Sequence, residues 1–193
     1  MNIKKTFYPS QRLPQRPQKI LGFVLVEVIA SISILMLAVP AALTVASKSV
    51  FLAGYSKDQV IATHLAEEGI EIIRNKRDQN MFRGDTWTNG IWSGDCKSPN
   101  KCIVDPGFGA SDPTIQKCVG GCSLVLNMDT ASGAYAHQAG GTWAPTQFSR
   151  FVETSDVPGG GSSNEIRVSS VVTYYTHGIS KTITLTENLT PWI

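Results

Sequence analysis

The strongest constraint on this chain is an apolar run of 24 residues, from Phe23 to Ala46, in which Glu27 is the single charged residue. As an α-helix rising about 1.5 Å per residue, the run is roughly 36 Å long, which exceeds a bilayer core of about 30 Å. A cleaved secretory signal has a shorter apolar core of about 7–15 residues. The sequence therefore predicts a helix that stays in a membrane, or in an assembly that replaces one.

Residues 1–22 form a basic leader before this helix. The leader contains no acidic residue and five cations, which are Lys4, Lys5, Arg12, Arg16 and Lys19. Such an excess of positive charge holds an N-terminus in the cytoplasm and directs the chain after the helix to the other side. Three prolines in the leader favour an extended conformation over a helix.

The junction between the leader and the helix carries a recognisable motif. Gly22-Phe23 followed by "VLVEVIASISIL" resembles the processing site of bacterial type IV prepilins and type II secretion pseudopilins. The resemblance implies that a prepilin peptidase cuts after Gly22 and that the new N-terminal residue, Phe23, is N-methylated. It covers residues 1 to about 46. The partners it implies are other pilin subunits, the prepilin peptidase/methyltransferase, an inner-membrane assembly platform and the lipid bilayer.

Glu27 is the fifth residue counted from Phe23, as in that family. A carboxylate near the centre of a membrane helix costs roughly 2.5–3.5 kcal/mol on insertion scales. After cleavage, the free amine of Phe23 is a second charge at the edge of the helix, and a carboxylate one turn away offsets it in the same chain or in a neighbour. The resemblance favours the neighbour, so that Glu27 sets the register of assembly.

The helix is predicted to continue as an amphipathic segment over residues 47–78, with a bend at Pro40 and an end near Asp78. Its apolar residues recur at roughly helical spacing, and most charged residues fall between them. Gly54 and Gly69 weaken the helix by about 1 kcal/mol each relative to Ala. The stretch "LAEEGIEIIRNKRDQN" resembles the helix-to-head junction of pilin-like proteins.

Residues 79–193 are predicted to form a small head made of antiparallel strands. The clearest pattern is "EIRVSSVVTYYTHGISKTITLTENL", which predicts two strands joined by a turn at His177-Gly178. "SLVLNM" and "SRFVETSD" are further strand candidates, and "DVPGGGSSN" is predicted to be a flexible loop. The expected fold class is α+β, a pilin-like long N-terminal helix with an antiparallel sheet packed on its outer half.

The four cysteines, Cys96, Cys102, Cys118 and Cys122, all lie in the head. An even number in an exported region indicates disulfides, for which three connectivities can be drawn. We favour Cys96–Cys102 with Cys118–Cys122, because each pair flanks a short turn-rich segment. The nested alternative, Cys96–Cys122 with Cys102–Cys118, would close a larger loop. A zinc site is the rival interpretation, but the spacings of five and three residues do not match the common pattern.

Charge and motifs argue against several other functions. Without the leader the chain has 12 basic and 15 acidic residues, and no basic patch of the kind that binds nucleic acid. His64 is expected on the surface of the helix, His137 in a polar loop and His177 in a turn, and the three lack metal-ligand spacing. No phosphate-binding loop, Gly-x-Ser-x-Gly or His-Glu-x-x-His motif occurs. We therefore expect no enzyme activity, no cofactor and no metal. The tryptophans and tyrosines favour core or interface packing over an aromatic binding surface.

Two classes of function remain. The first is a structural subunit, a minor pilin or pseudopilin of an extracellular filament or a periplasmic pseudopilus. The protein would then wait in the inner membrane as a single-pass protein with its C-terminus outside. The alternative is a membrane-tethered extracellular binding or enzymatic domain whose anchor merely resembles a prepilin. The loop-rich, cysteine-bearing head favours a minor subunit over a major one.

Overall fold

A computed structural model describes residues 21–92, 96–107, 112–118, 121–158, 164–176 and 178–191. Several sequence predictions concern residues outside these ranges. They are the extended leader up to residue 20, the turn residue His177, the aromatic residue Trp192 and the glycine run at 159–161.

A single helix, α1, runs from Leu21 to Arg83 and continues through Pro40. The predicted end near Asp78 is wrong, because the helix extends five residues further. It ends at Gly84, whose φ of 78° suits glycine. The amide of Gly84 donates to the carbonyl of Met81, and the amide of Asp85 donates to that of Asn80. These two bonds define a Schellman motif, which satisfies carbonyls that the helix end would otherwise leave unpaired.

The chain divides into two compact units, Met1–Val50 and Phe51–Ile193. The described part of the first unit is the apolar portion of α1. The second unit contains the remainder of α1 together with antiparallel strands. The predicted α+β fold, with a long apolar N-terminal helix and an antiparallel sheet, is therefore confirmed.

Seven strands form one sheet in the described part of the second unit. They are β1 (Cys102–Asp105), β2 (Thr114–Lys117), β3 (Val125–Asp129), β4 (Tyr135–Ala136), β5 (Trp143–Asp156), β6 (Ile166–Thr176) and β7 (Ile179–Leu189). The predicted C-terminal hairpin is confirmed as β6 and β7, which are paired antiparallel along their whole length. The two other candidates fall on β3 and β5, whereas β1, β2 and β4 were not predicted.

Strand β5 is the centre of the sheet. Along one edge it pairs with β6, from Phe148↔Tyr174 to Asp156↔Ile166. Along the other edge it pairs with β3 near its beginning and with β1 at Val152. β2 and β4 lie outside β1 and β3 respectively. Strand β5 is therefore hydrogen-bonded to three of the other strands, β1, β3 and β6.

The core of the second unit lies between α1 and the sheet. Buried residues of α1 (Leu65, Ala66, Ile70, Ile72 and Ile73) belong to the same two apolar clusters as buried residues of β5 and β6. Gly69 is the point of closest approach, because a Cβ at this position would meet the hydroxyl and Cβ of Ser170. Gly69, which was expected to weaken the helix, is thus required by the packing of α1 on the sheet.

Asp129 shapes the tight turn between β3 and β4. Its carboxylate accepts bonds from the Ser132 hydroxyl at 2.6 Å and from the amides of Ala131 and Ser132. Hydrogen bonds from Ser132, and then from Thr142, lower the pKa of Asp129 from 3.8 to about 2. A carboxylate that accepts several bonds is held in its charged form, so this turn keeps its geometry across the neutral range.

Both disulfides join the cysteines that the sequence favoured. Cys96 pairs with Cys102, the first residue of β1, across a Cα–Cα distance of 5.3 Å. Cys118 pairs with Cys122 just after β2, across 5.2 Å. Both distances lie in the ordinary range for disulfides. The first bridge is fully buried in the core, so it anchors the segment after α1 to the sheet.

We expect non-reducing mass spectrometry of the exported protein to show about four hydrogens fewer than the fully reduced chain, two for each bridge. Peptide mapping should recover Cys96 linked to Cys102 and Cys118 linked to Cys122. Peptides that link Cys96 to Cys122, or free thiols at all four positions, would contradict this pairing.

Candidate functional site

The first candidate site is the apolar portion of α1, which buries none of its large side chains against the residues that the structure describes. Phe23 is 82 % exposed, and the valines, leucines and isoleucines that follow are all exposed as well. Its most apolar 18-residue window has a mean hydropathy of 2.4 and is 0 % buried. Among the residues that the structure describes, this is the one helix long and apolar enough to cross a membrane. An exposed apolar surface of this size is typical of a segment that meets a bilayer or other protein chains.

Glu27 lies on this uncovered surface. Its backbone carbonyl accepts the hydroxyl of Ser31 at 2.8 Å, one helical turn further on. Its carboxylate has no hydrogen-bond or ion-pair partner among the residues that the structure describes. The described part of the chain therefore supplies no counter-charge to Glu27.

Gly22 and Phe23 lie in the first turn of α1, which begins at Leu21. The Gly22–Phe23 bond therefore stands at the boundary between the predicted leader and the apolar helix. Glu27 is four residues beyond Phe23, or about 6 Å along the helix. This spacing places a carboxylate one turn from the amine that cleavage would create.

The second candidate site is a polar cluster buried in the second unit, centred on Arg150 of β5. The side chain of Arg150 is 0 % exposed. Its Nη1 donates to Glu68 Oε2 at 2.7 Å and to the carbonyl of Leu65 at 3.0 Å, both on α1. Its Nη2 donates to the carbonyl of Val104 on β1 at 2.7 Å. One guanidinium therefore connects α1, β5 and β1.

A buried pair of residues, His137 and Asp105, continues this cluster. Asp105 Oδ1 lies 2.7 Å from His137 Nδ1, and it also accepts the His137 backbone amide at 2.9 Å. The other ring nitrogen, Nε2, lies 3.2 Å from the carbonyl of Arg150. Asp105 Oδ1 is also 3.9 Å from Arg150 Nη2. The buried charges in this cluster are thus paired, as burial demands, although Nε of Arg150 has no hydrogen-bond partner among the described residues.

Sequence reasoning missed this cluster. His137 was expected in a polar loop, but its side chain is 3 % exposed. The signal lay in β5, where Phe148, Arg150, Val152 and Thr154 alternate on the buried face. An arginine at an inward position of a period-two pattern indicates a buried ion pair. His64, by contrast, is on the surface of α1 as expected, where it contacts Glu67.

The aromatic residues serve mainly the core. Tyr135 and Tyr174 pack against Phe148 at centroid distances of 6.1 and 5.9 Å. Burial raises the pKa of the Tyr174 hydroxyl, which also bonds to Tyr55 on α1. Trp87 is buried in the other apolar cluster. Of the tryptophans and tyrosines considered for a binding surface, Tyr135, Tyr174 and Trp87 thus pack against the core.

The cluster around Arg150 connects α1 to the sheet, whereas the carboxylate of Glu27 has no hydrogen-bond or ion-pair partner in the described ranges. The second of these is therefore the better candidate for a functional surface. No protein-family model, curated protein or solved structure significantly matches the chain.

Proposed function

We propose that this chain is a structural subunit of a type IV pilus-like filament or a secretion pseudopilus, more specifically a minor pilin or pseudopilin. The observation that carries the proposal is the placement of Gly22, Phe23 and Glu27 in the first turns of α1, before and within the apolar stretch 23–46, in which every residue is exposed in the described structure. The combination resembles the processing and assembly site of prepilins.

The proposed life of the protein has two stages. The precursor waits in the inner membrane as a single-pass protein, with the basic leader in the cytoplasm and the head outside. The prepilin peptidase then removes residues 1–22 and methylates Phe23. During assembly, the apolar half of α1 leaves the bilayer and packs against the same region of other subunits.

The chemistry of assembly follows from the two charges at the start of the mature helix. A lone ammonium or carboxylate in an apolar bundle is unfavourable, whereas the pair is tolerated when each charge meets the other. The carboxylate of Glu27 in an incoming subunit would pair with the Phe23 amine of the subunit before it. A subunit that is one turn out of register leaves both charges unpaired, so the pair selects a single register.

The disulfides of the head are consistent with export from the cytoplasm. They are of the kind that form and persist in an oxidising compartment. The positive leader independently supports a position of the head on the same side of the membrane. The combination of a disulfide-stabilised head and an uncovered apolar helix supports a filament subunit over a soluble domain.

The substitution Gly22→Leu is expected to block processing, because the peptidase needs close approach to the backbone at the bond it cuts. The protein should remain in the membrane fraction with the full mass of residues 1–193. Val24→Leu is the matched control, since it enlarges an apolar side chain near the bond and leaves Gly22 and Phe23 unchanged. Intact-mass spectrometry and N-terminal sequencing of membrane extracts make the measurement.

The outcomes separate the two classes of function. An N-methylated Phe23 terminus in the natural chain and in Val24→Leu, together with a Met1 terminus in Gly22→Leu, supports the filament subunit. A natural chain that retains Met1 would favour the alternative, a head tethered by an uncut anchor. Normal mature protein in the Gly22→Leu strain would contradict the cleavage site.

A further inference from the structure

The sheet has a long edge and a short edge in the described part of the chain. Strand β7 forms the long edge, since it pairs with β6 over eleven residues and with no other described strand. On the opposite side, β2 pairs with β1 over four residues and with no other described strand. The outer side of each strand therefore presents backbone donors and acceptors that no described strand uses. Such edges are templates for pairing with a strand of another chain.

Strands β7 and β2 both run in the same direction as the outer part of α1. Along β7, Ile183 packs on the cluster that contains Leu65, whereas Leu189 lies in the cluster that contains Ile73, further along the helix. Strand β2 has the direction of β7, because four antiparallel pairings lead from one to the other through β6, β5 and β1. In the proposed filament the α1 helices of all copies are parallel, so edge strands that meet there form parallel pairs.

Two arrangements of β7 satisfy this direction. A parallel pair of β7 with β7 places the two α1 helices on opposite faces of the joined sheet, where they cannot pack together. A pair of β7 with the opposite edge keeps both helices on one face. That edge consists of β2, with four residues, and β4, with two. The longer strand, β2, is therefore the better partner for β7.

Both edge strands alternate between a face that packs on the core and an exposed face. On β7, Leu185 packs on the core and Thr184 is exposed. On β2, Ile115 packs on the core and Thr114 is exposed. A joined sheet keeps this alternation, because successive side chains of a strand point to opposite faces. The registers that remain are those in which odd-numbered residues of β2 meet odd-numbered residues of β7.

Charge selects one of these registers. Lys117 is the single charged residue of β2, and Glu187 is the single acidic residue of β7. With Lys117 opposite Glu187, the four facing pairs are Thr114 with Thr184, Ile115 with Leu185, Gln116 with Thr186, and Lys117 with Glu187. A shift of two residues in either direction places Lys117 opposite Leu185 or Leu189, which leaves the lysine without a counter-charge.

The surroundings of Glu187 favour a cation from another copy. Its Oε2 accepts Arg74 Nη2 at 2.6 Å, and Arg74 is also paired with Glu71. Two carboxylates share one guanidinium, so this group of three side chains has a net charge of −1. The group lines an open groove of about 300 Å³ between α1 and β7. The ammonium of an incoming Lys117 would bring the group to neutrality.

We propose that a second copy of this chain docks its β2 on β7 as a parallel strand, with Lys117 opposite Glu187. The contact joins two sheets through about four backbone hydrogen bonds. It is heterologous, since each copy uses β7 toward one neighbour and β2 toward the other, and such a contact builds an open helical filament when it does not close into a ring. The inference rests on the proposed function for the shared direction of the copies.

The test is disulfide cross-linking of the full chain that carries both Thr114→Cys and Thr184→Cys. Cells that make this chain are treated with a mild oxidant and separated into membranes and sheared filaments. In the proposed register the introduced cysteines of neighbouring copies lie about 4.8 Å apart, within disulfide range. Within one chain they are four strand spacings apart, about 19 Å. Non-reducing gels should therefore show a ladder of linked oligomers in which peptides 114 and 184 are joined.

The matched control combines Thr114→Cys with Ser180→Cys. Position 180 lies on the same face of β7 as Thr184, but it is four residues away, or about 13 Å along the strand. This control should stay monomeric, and so should each single variant, because the contact joins two different positions. No ladder from the test chain in either fraction, or an equal ladder from the control, would overturn the proposal. A dimer from Thr184→Cys alone would also overturn it, in favour of a contact of β7 with β7.

A charge exchange tests the register. Adding Lys117→Glu to the two cysteine substitutions should reduce the linked fraction about tenfold, because an attractive pair becomes repulsive. Adding Glu187→Lys as well should restore most of the ladder, which a merely structural effect of Lys117→Glu would not do. Lys181→Glu is the charge control, since it makes the same change on β7 outside the four facing pairs. A ladder that Lys117→Glu leaves unchanged would contradict the register.

N-terminal sequencing of the same samples separates this inference from the proposed function. A mature Phe23 terminus in sheared filaments without a ladder would overturn the contact between heads and leave the filament proposal standing. A ladder from a chain that retains Met1 and is absent from sheared filaments would support the contact and contradict the filament proposal.

Discussion

Replacing Arg150 by methionine is expected to destabilise the head by about 2–4 kcal/mol, chiefly because two backbone carbonyls lose their donor, while Glu68, at 36 % exposure, is partly solvated. The change leaves Glu68 without its cation and removes the donors to the carbonyls of Leu65 and Val104. A buried acceptor that loses its donor costs about 1–3 kcal/mol in itself. Methionine fills much of the volume, so the expected loss comes from polar groups and not from a cavity.

The measurement is denaturant unfolding of the full chain in detergent. Unfolding is monitored by tryptophan fluorescence, to which Trp87, buried in the core, contributes. Arg167→Met is the matched control, because Arg167 lies on the half-buried face of β6 and its one described hydrogen bond is to Asn188 at 3.3 Å. Its effect should stay within about 0.5 kcal/mol.

A double variant distinguishes the ion pair from the rest of the cluster. Arg150→Met combined with Glu68→Met removes both charges, so it should recover part of the stability that Arg150→Met loses. A loss below about 1 kcal/mol in the single variant would contradict the role of Arg150 as the tie between α1, β5 and β1. A double variant no better than the single one would show that the bonds to backbone carbonyls dominate.

The sequence predicted the elements whose patterns are long and regular. The hairpin of β6 and β7 follows eleven-residue alternations, and its buried face is visible in the spacing of Ile166, Val168 and Val172. The apolar helix was also predicted, because the length of its apolar run matches a membrane span. Both disulfides were predicted, because each pair of cysteines flanks a short segment. These features depend on local sequence, which explains why they could be read without a structure.

Other elements depend on contacts that are distant in sequence. Strands β1, β2 and β4 have four residues or fewer, too short for a periodic pattern, and they exist because β5 and β3 pair with them. The end of α1 was placed five residues early because the cations before Asp78 suggested a terminus, whereas Gly84 supplies it. Arg150 was missed because its partners Glu68 and Asp105 are 82 and 45 residues away.

Replacing Glu27 by alanine is expected to prevent incorporation of the chain into filaments and to leave its insertion and cleavage intact. The apolar run becomes slightly more hydrophobic, so insertion should not suffer. The Gly22–Phe23 bond and the basic leader are unchanged, so the leader should still be removed. The neighbouring Phe23 amine would lose its partner, at a cost of about 3–5 kcal/mol. That cost lowers the assembly equilibrium by more than about a hundredfold.

The measurement compares the amount of this chain in sheared filaments with the amount in the membrane fraction, for the natural chain and for Glu27→Ala. Ser33→Ala is the matched control, since it also makes the helix more apolar and removes only a bond to the carbonyl of Ile29. Its incorporation should equal that of the natural chain. A Glu27→Ala chain that is cleaved, stable in the membrane and absent from filaments would support the charge pair. Equal incorporation of all three chains would refute it, and Glu27 would then be a polar residue that the helix tolerates near the membrane surface.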